Sequence, residues 1–473
     1  MRDHVLLFIN GERVELRGAD ADQPLTDLLR HRLGATGTKV VCAEGDCGAC
    51  TALVARPGPD GLRYRAIDAC IQFCWQLDGA SILTVEGLAD GDRLHPAQAA
   101  MITHHGSQCG YCTPGFVMAI AGHRESGEPT TPASVDLALS GNLCRCTGYT
   151  SIRAAALAQA ELHAPALSER YSAPAMVRAL TEAAATGAHL RWDGADGPRE
   201  VRLPTTLPDA LAARAGATVW AGGTDLGVQR NKGRPAPLRT VSLAHVEALR
   251  GITFRDDEVE IGAATPWSTV LAWAHDALPP LASVLELFGA PQIREAGTVG
   301  GNLVNASPIA DATPCWLALD AVVHVASAAG ARSVPIASFF LGYKQVDLRP
   351  DEIVTHLTLR LPGPHQRLQL YKVSRRLDLD ISSVTAAFRL DLDGETIRAA
   401  RVAFGGVAAT SIRMTEVETS LTGAPLQRAV LHAAGVDAAA RVRPISDVRA
   451  SEAYRRHVVR NLFRKLAHDL EVA

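Results

Sequence analysis

Eight of the ten cysteines fall before residue 150 in two tight sets, and any fold of this chain must gather each set. The first is CAEGDCGAC, in which Cys42, Cys47 and Cys50 are spaced C-x4-C-x2-C, and Cys70 follows after nineteen intervening residues. That is the plant-type ferredoxin spacing for a [2Fe-2S] cluster, where each iron needs two thiolates and one loop supplies three of the four. Gly45, Gly48 and Ala49 suit so tight a loop, because glycine tolerates positive φ and small side chains let backbone N–H groups approach the sulfides. Upstream, LLFINGERVEL predicts a hairpin turning at Asn10-Gly11, and PLTDLLRHRLG predicts a short helix capped by Thr26. A ferredoxin-like β-grasp domain begins in that order.

The second set is Cys109 and Cys112 in GSQCGYCTPG with Cys144 and Cys146 in GNLCRCTGYT. Four helical patterns bracket it: MITHHGSQC, TPGFVMAIAGHRES entered through Pro114, TPASVDLALSGNLCRC with Pro132 in its first turn, and YTSIRAAALAQAELH. These ligands are expected at helix ends in a small bundle, with His104 and His105 on a helix beside them as packing or interface residues. Structural zinc also takes four cysteines. The first set departs from the paired zinc-ribbon spacing, whereas C-x2-C with C-x-C is less diagnostic. Cys74 and Cys315 lack partners in sequence and read as inert buried thiols.

A formal charge of −3 and the lack of any long basic block argue against nucleic-acid binding. No run of about eighteen apolar residues is present, so no bilayer span is expected. The first ten residues, MRDHVLLFIN, are too short an apolar stretch for a secretory signal, which predicts a cytoplasmic protein. There, clustered thiols point to metal or redox ligation rather than disulfides. The length of 473 residues predicts about three domains.

Beyond the cysteines, residues 166–200 are irregular, and the Gly, Asp and Pro cluster at Asp193 to Pro198 reads as a linker. In ATVWAGGTDLGVQRNKG an apolar strand runs into Gly222-Gly223, whose backbone N–H groups suit an anion nest for a pyrophosphate. A second glycine turn, AGTVGGNLVNASPIAD, lacks the G-x-G-x-x-G of a Rossmann fold. Two such turns suit a dinucleotide gripped from both sides; they equally suit plain tight turns. YKVSRRLDLDISSVTAAFRLDL and IRAARVAFGGV, separated by a Gly394-Glu395 turn, read as antiparallel strands. AYRRHVVRNLFRKLAHDL reads as an amphipathic helix with a solvated basic face.

CAEGDCGACT with Cys70, QCGYCTPGF with GNLCRCTGY, AGGTDLG, and GTVGGNLVNASPIAD with FFLGYK follow one another here as in the xanthine dehydrogenase branch of the molybdenum hydroxylases, which the chain resembles over nearly its whole length. The resemblance implies a multidomain α+β protein: a ferredoxin-like [2Fe-2S] domain at 1–78, a four-helix [2Fe-2S] domain at 79–165, a linker at 166–200, a two-part FAD-binding domain at 201–362 and a C-terminal α+β domain at 363–473. It implies that Cys42, Cys47, Cys50 and Cys70 hold the cluster nearer the flavin, and Cys109, Cys112, Cys144 and Cys146 the one nearer molybdenum. Gln108 would lie beside the pterin of a partner. For FAD it implies Val219, Trp220, Ala221, Gly222, Gly223, Thr224, Asp225 and Leu226, with Thr298, Val299, Gly300, Gly301 and Asn302. Phe288, Asp311, Val354 and Lys372 match single contact positions. Gly223 stands where relatives often have Asn, and LDLD at 377–380 departs from animal forms.

The role so implied is that of the small subunit of a two-subunit bacterial enzyme, relaying electrons from a molybdenum cofactor in a large molybdopterin-binding partner through both clusters to FAD and then NAD. A flavin is needed there, since iron-sulfur centres pass single electrons and nicotinamide accepts two. Hypoxanthine and xanthine would be oxidised to urate on the partner, so no catalytic base is expected in this chain, and two small with two large chains would assemble. The alternatives are the same role in a hydroxylase of aldehydes or N-heterocycles, a stand-alone iron-sulfur flavoprotein carrier, and a zinc-binding module.

Overall fold

In a computed structural model describing residues 1–472, Asn10 and Gly11 both take positive φ, 51° and 88°, and turn strand His4–Ile9 into strand Glu12–Arg17. This is the primed hairpin turn their sequence predicts. Strand Ala80–Leu83 joins His4–Ile9 in parallel, and Thr51–Ala55 and Arg65–Asp68 complete a five-stranded sheet. His4–Ile9 is apolar on both faces because both are covered. Val5, Leu7 and Ile9 pack with Leu25, Leu28 and Leu29, while Leu6 and Phe8 pack with Phe116 and Ile120 of the helical domain. The short helix is present as Leu25–Asp27 continued by a π turn, Leu28–Arg32, but Thr26 does not cap it. Pro24 holds the N-cap position, and Thr26 is buried in the first turn.

Four helices follow at Pro96–Thr103, Thr113–Ser126, Pro132–Leu139 and Thr150–Ala158. Thr113–Ser126 is buried continuously from Gly115 to His123, as a helix apolar all round must be. The helix Pro96–Thr103 ends earlier than its pattern predicts. His104 is its C-cap and His105, at φ 52°, lies beyond it, so the pair is not helical.

His95 caps that helix by accepting the Ala97 N–H on Nδ1 at 3.2 Å. Its Nε2 is buried with no hydrogen-bond partner, and burial, with Arg124 and Arg170 nearby, lowers its pKa to about 4. A histidine whose folded value is depressed below 6.5 favours the fold while neutral, and that stability is lost as pH falls toward 4. Urea unfolding is expected to show about 2 kcal/mol less stability from this site at pH 5 than at pH 7. His95→Asn, which can still cap, is expected to remove that increment.

The span 166–200 is structured rather than a linker. It carries helix Pro174–Thr186 and strand Ala188–Gly194, which pairs with Gly197–Leu203 across a turn at Ala195-Asp196. The charged residues of HLRWD and REVRL hide the alternation, but Ala188, Leu190, Val201 and Leu203 all point into the core. Strands Arg239–Ser242 and Thr218–Trp220 add in parallel to this hairpin. Trp220 meets Phe73 and Trp75 of the first domain at ring-centroid distances of 5.6 and 5.1 Å, each pair worth about 1 kcal/mol beyond its burial. All of this, with segment Ala290–Gly297, forms one unit.

A second unit comprises Leu249–Gly289 and Thr298–Ala473. Its first sheet, ordered Ile252–Arg255, Glu258–Gly262, Ile353–Arg360, Val322–Ser327, Gly330–Pro335, is antiparallel throughout. Helices Trp267–Ala277, Pro279–Glu286, Val299–Asn305 and Thr313–Ala318 bury their apolar residues with it. The predicted strands near the end are Gln366–Val373, Val384–Asp393 and Thr396–Gly405, the last two turning at Gly394-Glu395. Helix Glu452–Asp469 packs Phe463 against Phe388 at 5.0 Å. Its basic face is not wholly solvated: Arg455 is buried and donates to the carbonyls of Ser383 and Gly406. Among the described residues no helix is long and apolar enough to cross a membrane.

Candidate iron-sulfur and flavin sites

The loop Cys42 to Cys50 curls through positive φ at Ala43 (55°), Gly45 (73°) and Gly48 (63°). A Cβ on Gly45 would lie 2.8 Å from both Ile71 and Ile293, so the loop follows its neighbours too closely for any larger residue. The turn brings Cys42 into hydrogen-bond contact with Cys47 and Cys70, and Cys50 with Cys70. The thiol contacts, with backbone amides of Glu44 and Asp46, hold the Cys42 sulfur far below the ordinary thiol range. Those amides face the sulfur as a thiolate ligand requires. Cys50 and Cys70 are buried, Cys42 and Cys47 half-buried.

The second set assembles as two pairs, Cys109 with Cys146 and Cys112 with Cys144. Burial and the contact with Cys144 push the Cys112 thiol up to about 12. Cys109 and Cys146 are exposed, Cys144 is buried. Thr147 supplies Cys144 Sγ with its hydroxyl at 3.1 Å and its amide at 3.5 Å, and Tyr149 Oη accepts the Cys144 N–H at 3.0 Å. Among the described residues no three His, Cys, Asp or Glu side chains converge on one ion position. The thiols stand in two pairs in the second set and in a run of contacts, Cys47 to Cys42 to Cys70 to Cys50, in the first, and four thiolates, two at each iron, are what a [2Fe-2S] cluster takes. The residues fit that group in both sets.

Sequence reasoning missed Thr147 and Tyr149, which only the fold turns back on Cys144. It also missed Asp68, buried beside Cys50 with Oδ1 3.6 Å from its sulfur and pushed up to about 7 by burial. Asp68 ends strand Arg65–Asp68 and Cys70 sits in the turn that follows, so nearness in sequence to Cys70 was the only signal available. Cys74 and Cys315 are both fully buried, as expected of inert thiols, and burial raises each. Gln108 lies exposed beside Cys109.

The glycine turn after strand Thr218–Trp220 is fastened to the first cysteine set. Asn231, at the end of helix Leu226–Asn231, donates through Nδ2 to Ala43 O at 2.9 Å and Cys70 O at 2.8 Å. A Cβ on Gly227 would lie 2.5 Å from Ile71 O, and one on Gly222 1.9 Å from Ala296 O. Gly223 takes φ 74°. Gly222 O accepts from Gln72 and Gln76, while Trp220 Nε1 is buried without a protein partner. Val219, Ala221, Thr224, Asp225 and Leu226 complete the loop and are only partly covered.

In the other unit, Thr298 caps helix Val299–Asn305 by accepting the Gly301 N–H at 3.1 Å. The amides of Val299 and Gly300 are spent on Thr265 O and Ala263 O, so these N–H groups serve the protein rather than a phosphate. Asn302 Oδ1 is a buried acceptor with no donor, which fits the hydroxyl groups of a nucleotide. Asp311 accepts from Lys372 Nζ at 2.6 Å and Ser382 Oγ at 2.6 Å. Burial raises the Asp311 carboxyl against the pull of that lysine. Lys372 also donates to Leu287 O at 2.9 Å, next to Phe288, whose ring meets Trp267 at 5.3 Å. Val354 is buried in strand Ile353–Arg360.

Two thiol tetrads and a glycine turn tied to one of them define an iron-sulfur flavoprotein. Four family models match in chain order: the 2Fe-2S iron-sulfur cluster binding domain at residues 7–70, a [2Fe-2S] binding domain at 84–157, the FAD binding domain in molybdopterin dehydrogenase at 198–362, and the CO dehydrogenase flavoprotein C-terminal domain at 369–470. The chain belongs to the molybdenum hydroxylase family, of which it is the iron-sulfur and FAD portion. It is 29% identical to a xanthine dehydrogenase of Oryza sativa and 30% identical to xanthine dehydrogenase 1 of Arabidopsis thaliana, each match covering 88% of this chain and 36% of the relative. The chain thus spans just over a third of the length of these curated relatives. Among solved structures it is similar to a carbon monoxide dehydrogenase of Hydrogenophaga pseudoflava, with TM-score 0.54, 25% identity, and coverage of 56% of this chain and 94% of that one. Quinoline 2-oxidoreductase of Pseudomonas putida is similar to the same degree, with TM-score 0.53, 25% identity, and coverage of 57% and 95%.

Proposed function

We propose that this chain is the electron-relay portion of a xanthine dehydrogenase, taking electrons from a molybdenum cofactor on a large partner subunit and delivering them to NAD. When bound, the two [2Fe-2S] clusters would pass single electrons and FAD would pool two of them for hydride transfer. The cysteine sets Cys42, Cys47, Cys50, Cys70 and Cys109, Cys112, Cys144, Cys146 would hold the clusters, and residues 219–226 and 298–302, with Phe288, Asp311, Val354 and Lys372, would hold the flavin. Lys372, neutralised by Asp311, presents no unpaired charge. Asn231 carries the reading, because its one amide bonds both the loop and the last cysteine of the first set, and so fixes the glycine turn beside them. The curated relatives are xanthine dehydrogenases, which favours xanthine. The similar solved structures, a carbon monoxide dehydrogenase and a quinoline 2-oxidoreductase, favour a second reading, the same relay for an N-heterocycle or another small substrate. Two copies of each chain in the cytoplasm are the assembly we expect.

The test is iron, zinc and flavin analysis of protein purified anaerobically with whatever accompanies it, followed by addition of xanthine and then NAD. The expected result is about four irons and one FAD per chain, a molybdenum-bearing partner, bleaching by xanthine and recovery of the visible bands with NAD. Bleaching only by quinoline or an aldehyde would move the substrate to the second reading. Zinc without flavin would remove the relay altogether.

A further inference from the structure

Between the two cysteine loops lies a buried polar triad. Asn142 Nδ2 donates to Gly48 O at 2.9 Å and Thr51 Oγ1 at 3.2 Å, and its Oδ1 accepts from Gln292 Nε2 at 3.0 Å. Gln292 Nε2 also donates to Thr51 Oγ1 at 3.2 Å, and the Thr51 hydroxyl donates to Gly48 O at 2.7 Å. Thr51 thereby uses its one donor and both acceptor positions. Thr51, Asn142 and Gln292 are 1%, 5% and 1% exposed. They come from the first cysteine loop, the second, and helix Pro291–Ala296, all within one unit.

The triad closes on a backbone bond that joins the two sets. Leu143 N–H donates to Cys47 O at 2.9 Å, and Cys144 is the next residue. The approach has no slack: a Cβ on Gly48 would lie 2.4 Å from Gly141 O, one on Gly115 2.2 Å from Gly48 O, and one on Gly141 2.1 Å from Gln292 Oε1. Only Gln292 Oε1 is left without a hydrogen-bond partner; the other side-chain atoms of the triad are paired, and a buried polar network so joined fixes the arrangement of its segments more sharply than apolar packing does.

We propose that Thr51, Asn142 and Gln292 are positioning residues that clamp the two cysteine loops together, and that the Leu143 to Cys47 hydrogen bond is a through-bond route for electrons between the two sets. This rests on the reading that both sets hold clusters. In each transfer one electron leaves the reduced second cluster and one enters the oxidised first; no bond is made or broken and no proton moves. The electron originates in the organic substrate oxidised at the partner, or in dithionite or a photoreductant in the experiment below.

The iron-loaded chain, wild type and with Asn142→Ala, Gln292→Ala, Thr51→Val or Thr51→Ser, is reduced with dithionite for the spectra and, for the kinetics, starts oxidised and receives less than one electron per chain from a photoreductant. Three quantities are read: exchange of the Leu143 amide, magnetic coupling between the reduced clusters in the EPR spectrum, and electron equilibration after flash reduction. With iron content and each cluster's own signal unchanged, the alanine and valine variants are expected to exchange Leu143 roughly tenfold faster or more, as loss of a buried hydrogen bond implies. Their coupling should weaken and equilibration should slow, and Thr51→Ser should behave as wild type. Should an alanine variant fail to fold, the near-isosteric Thr51→Val carries the test. Unchanged exchange and equilibration in iron-loaded variants would overturn the clamp alone. Wild-type protein that binds no iron would overturn the relay reading and the clamp with it.

Discussion

Asp78→Ala is expected to destabilise the protein by about 3–5 kcal/mol in urea unfolding, the usual cost of removing one partner from a buried ion pair. Asp78 is fully buried and collects four donors: Arg2 Nη1 at 3.1 Å and Nη2 at 2.6 Å, His245 Nε2 at 2.8 Å, and the Leu6 amide at 2.8 Å. Arg2 in turn donates to Ala183 O at 2.8 Å and Thr186 Oγ1 at 3.1 Å. One carboxylate therefore pins the start of the chain, helix Pro174–Thr186, the inner strand His4–Ile9 of the first sheet and the segment after strand Arg239–Ser242. The variant leaves Arg2, the Leu6 amide and a buried His245 without their acceptor. Burial pushes the Asp78 carboxyl up, but the bonds from His245 and Arg2 outweigh it and hold it below the ordinary 3.8. Its contribution is thus fully present above that value and is lost as pH falls through the depressed one, so wild type and Asp78→Ala should converge in stability only in strong acid. Asp78→Asn, which keeps the shape without the charge, is expected to fall between them. Equal stability of wild type and Asp78→Ala at neutral pH would show that the ion pairs contribute nothing net.

What was legible in the sequence is what is local. The Asn10-Gly11 turn and the helix entries through Pro114 and Pro132 depend on residues within a few positions and stand as read, and each cysteine set is gathered as its spacing predicts. The 166–200 stretch was misread because Arg191, Arg199 and Arg202, ion-paired with Glu200 or Asp196, interrupt a strand pattern carried by few apolar side chains. Thr26 was misread because a preceding proline already sets the entry to its helix. The partners that matter most lie far off in sequence: Asp78 meets His245 across 167 positions, and Asn142 meets Gln292 across 150. No window of sequence could pair them. Segment Ala290–Gly297 also leaves the unit of its chain neighbours to pack with the cysteine loops, which no periodicity announces.

Cys112→Ala is expected to remove two of the roughly four irons and one of two EPR signals, leaving the other intact, because a cluster that loses one of four thiolates loses its hold on one iron. Cys112 and Cys144 face each other as Cys109 and Cys146 do, so any of these four should give the same half loss. Cys50→Ala should remove the other signal instead. Cys146→Ala and Cys50→Ala should then diverge in the iron-free chain. Cys146 is exposed, and Cys146→Ala should leave its unfolding midpoint where it is, whereas Cys50, 2% exposed, packs with Ala52 and Ile67, and its truncation should cost about 1 kcal/mol of apolar burial. Cys74→Ala and Cys315→Ala, both buried and members of neither set, should keep all the iron; Cys74 shares a core with Cys50 and Cys70, so it controls for packing damage beside the first set. Loss of all iron on Cys112→Ala would mean the two sets fold their metal as one site, and full retention would take Cys112 out of the ligand set. Flavin content should follow neither substitution, since the residues proposed to hold FAD include no cysteine.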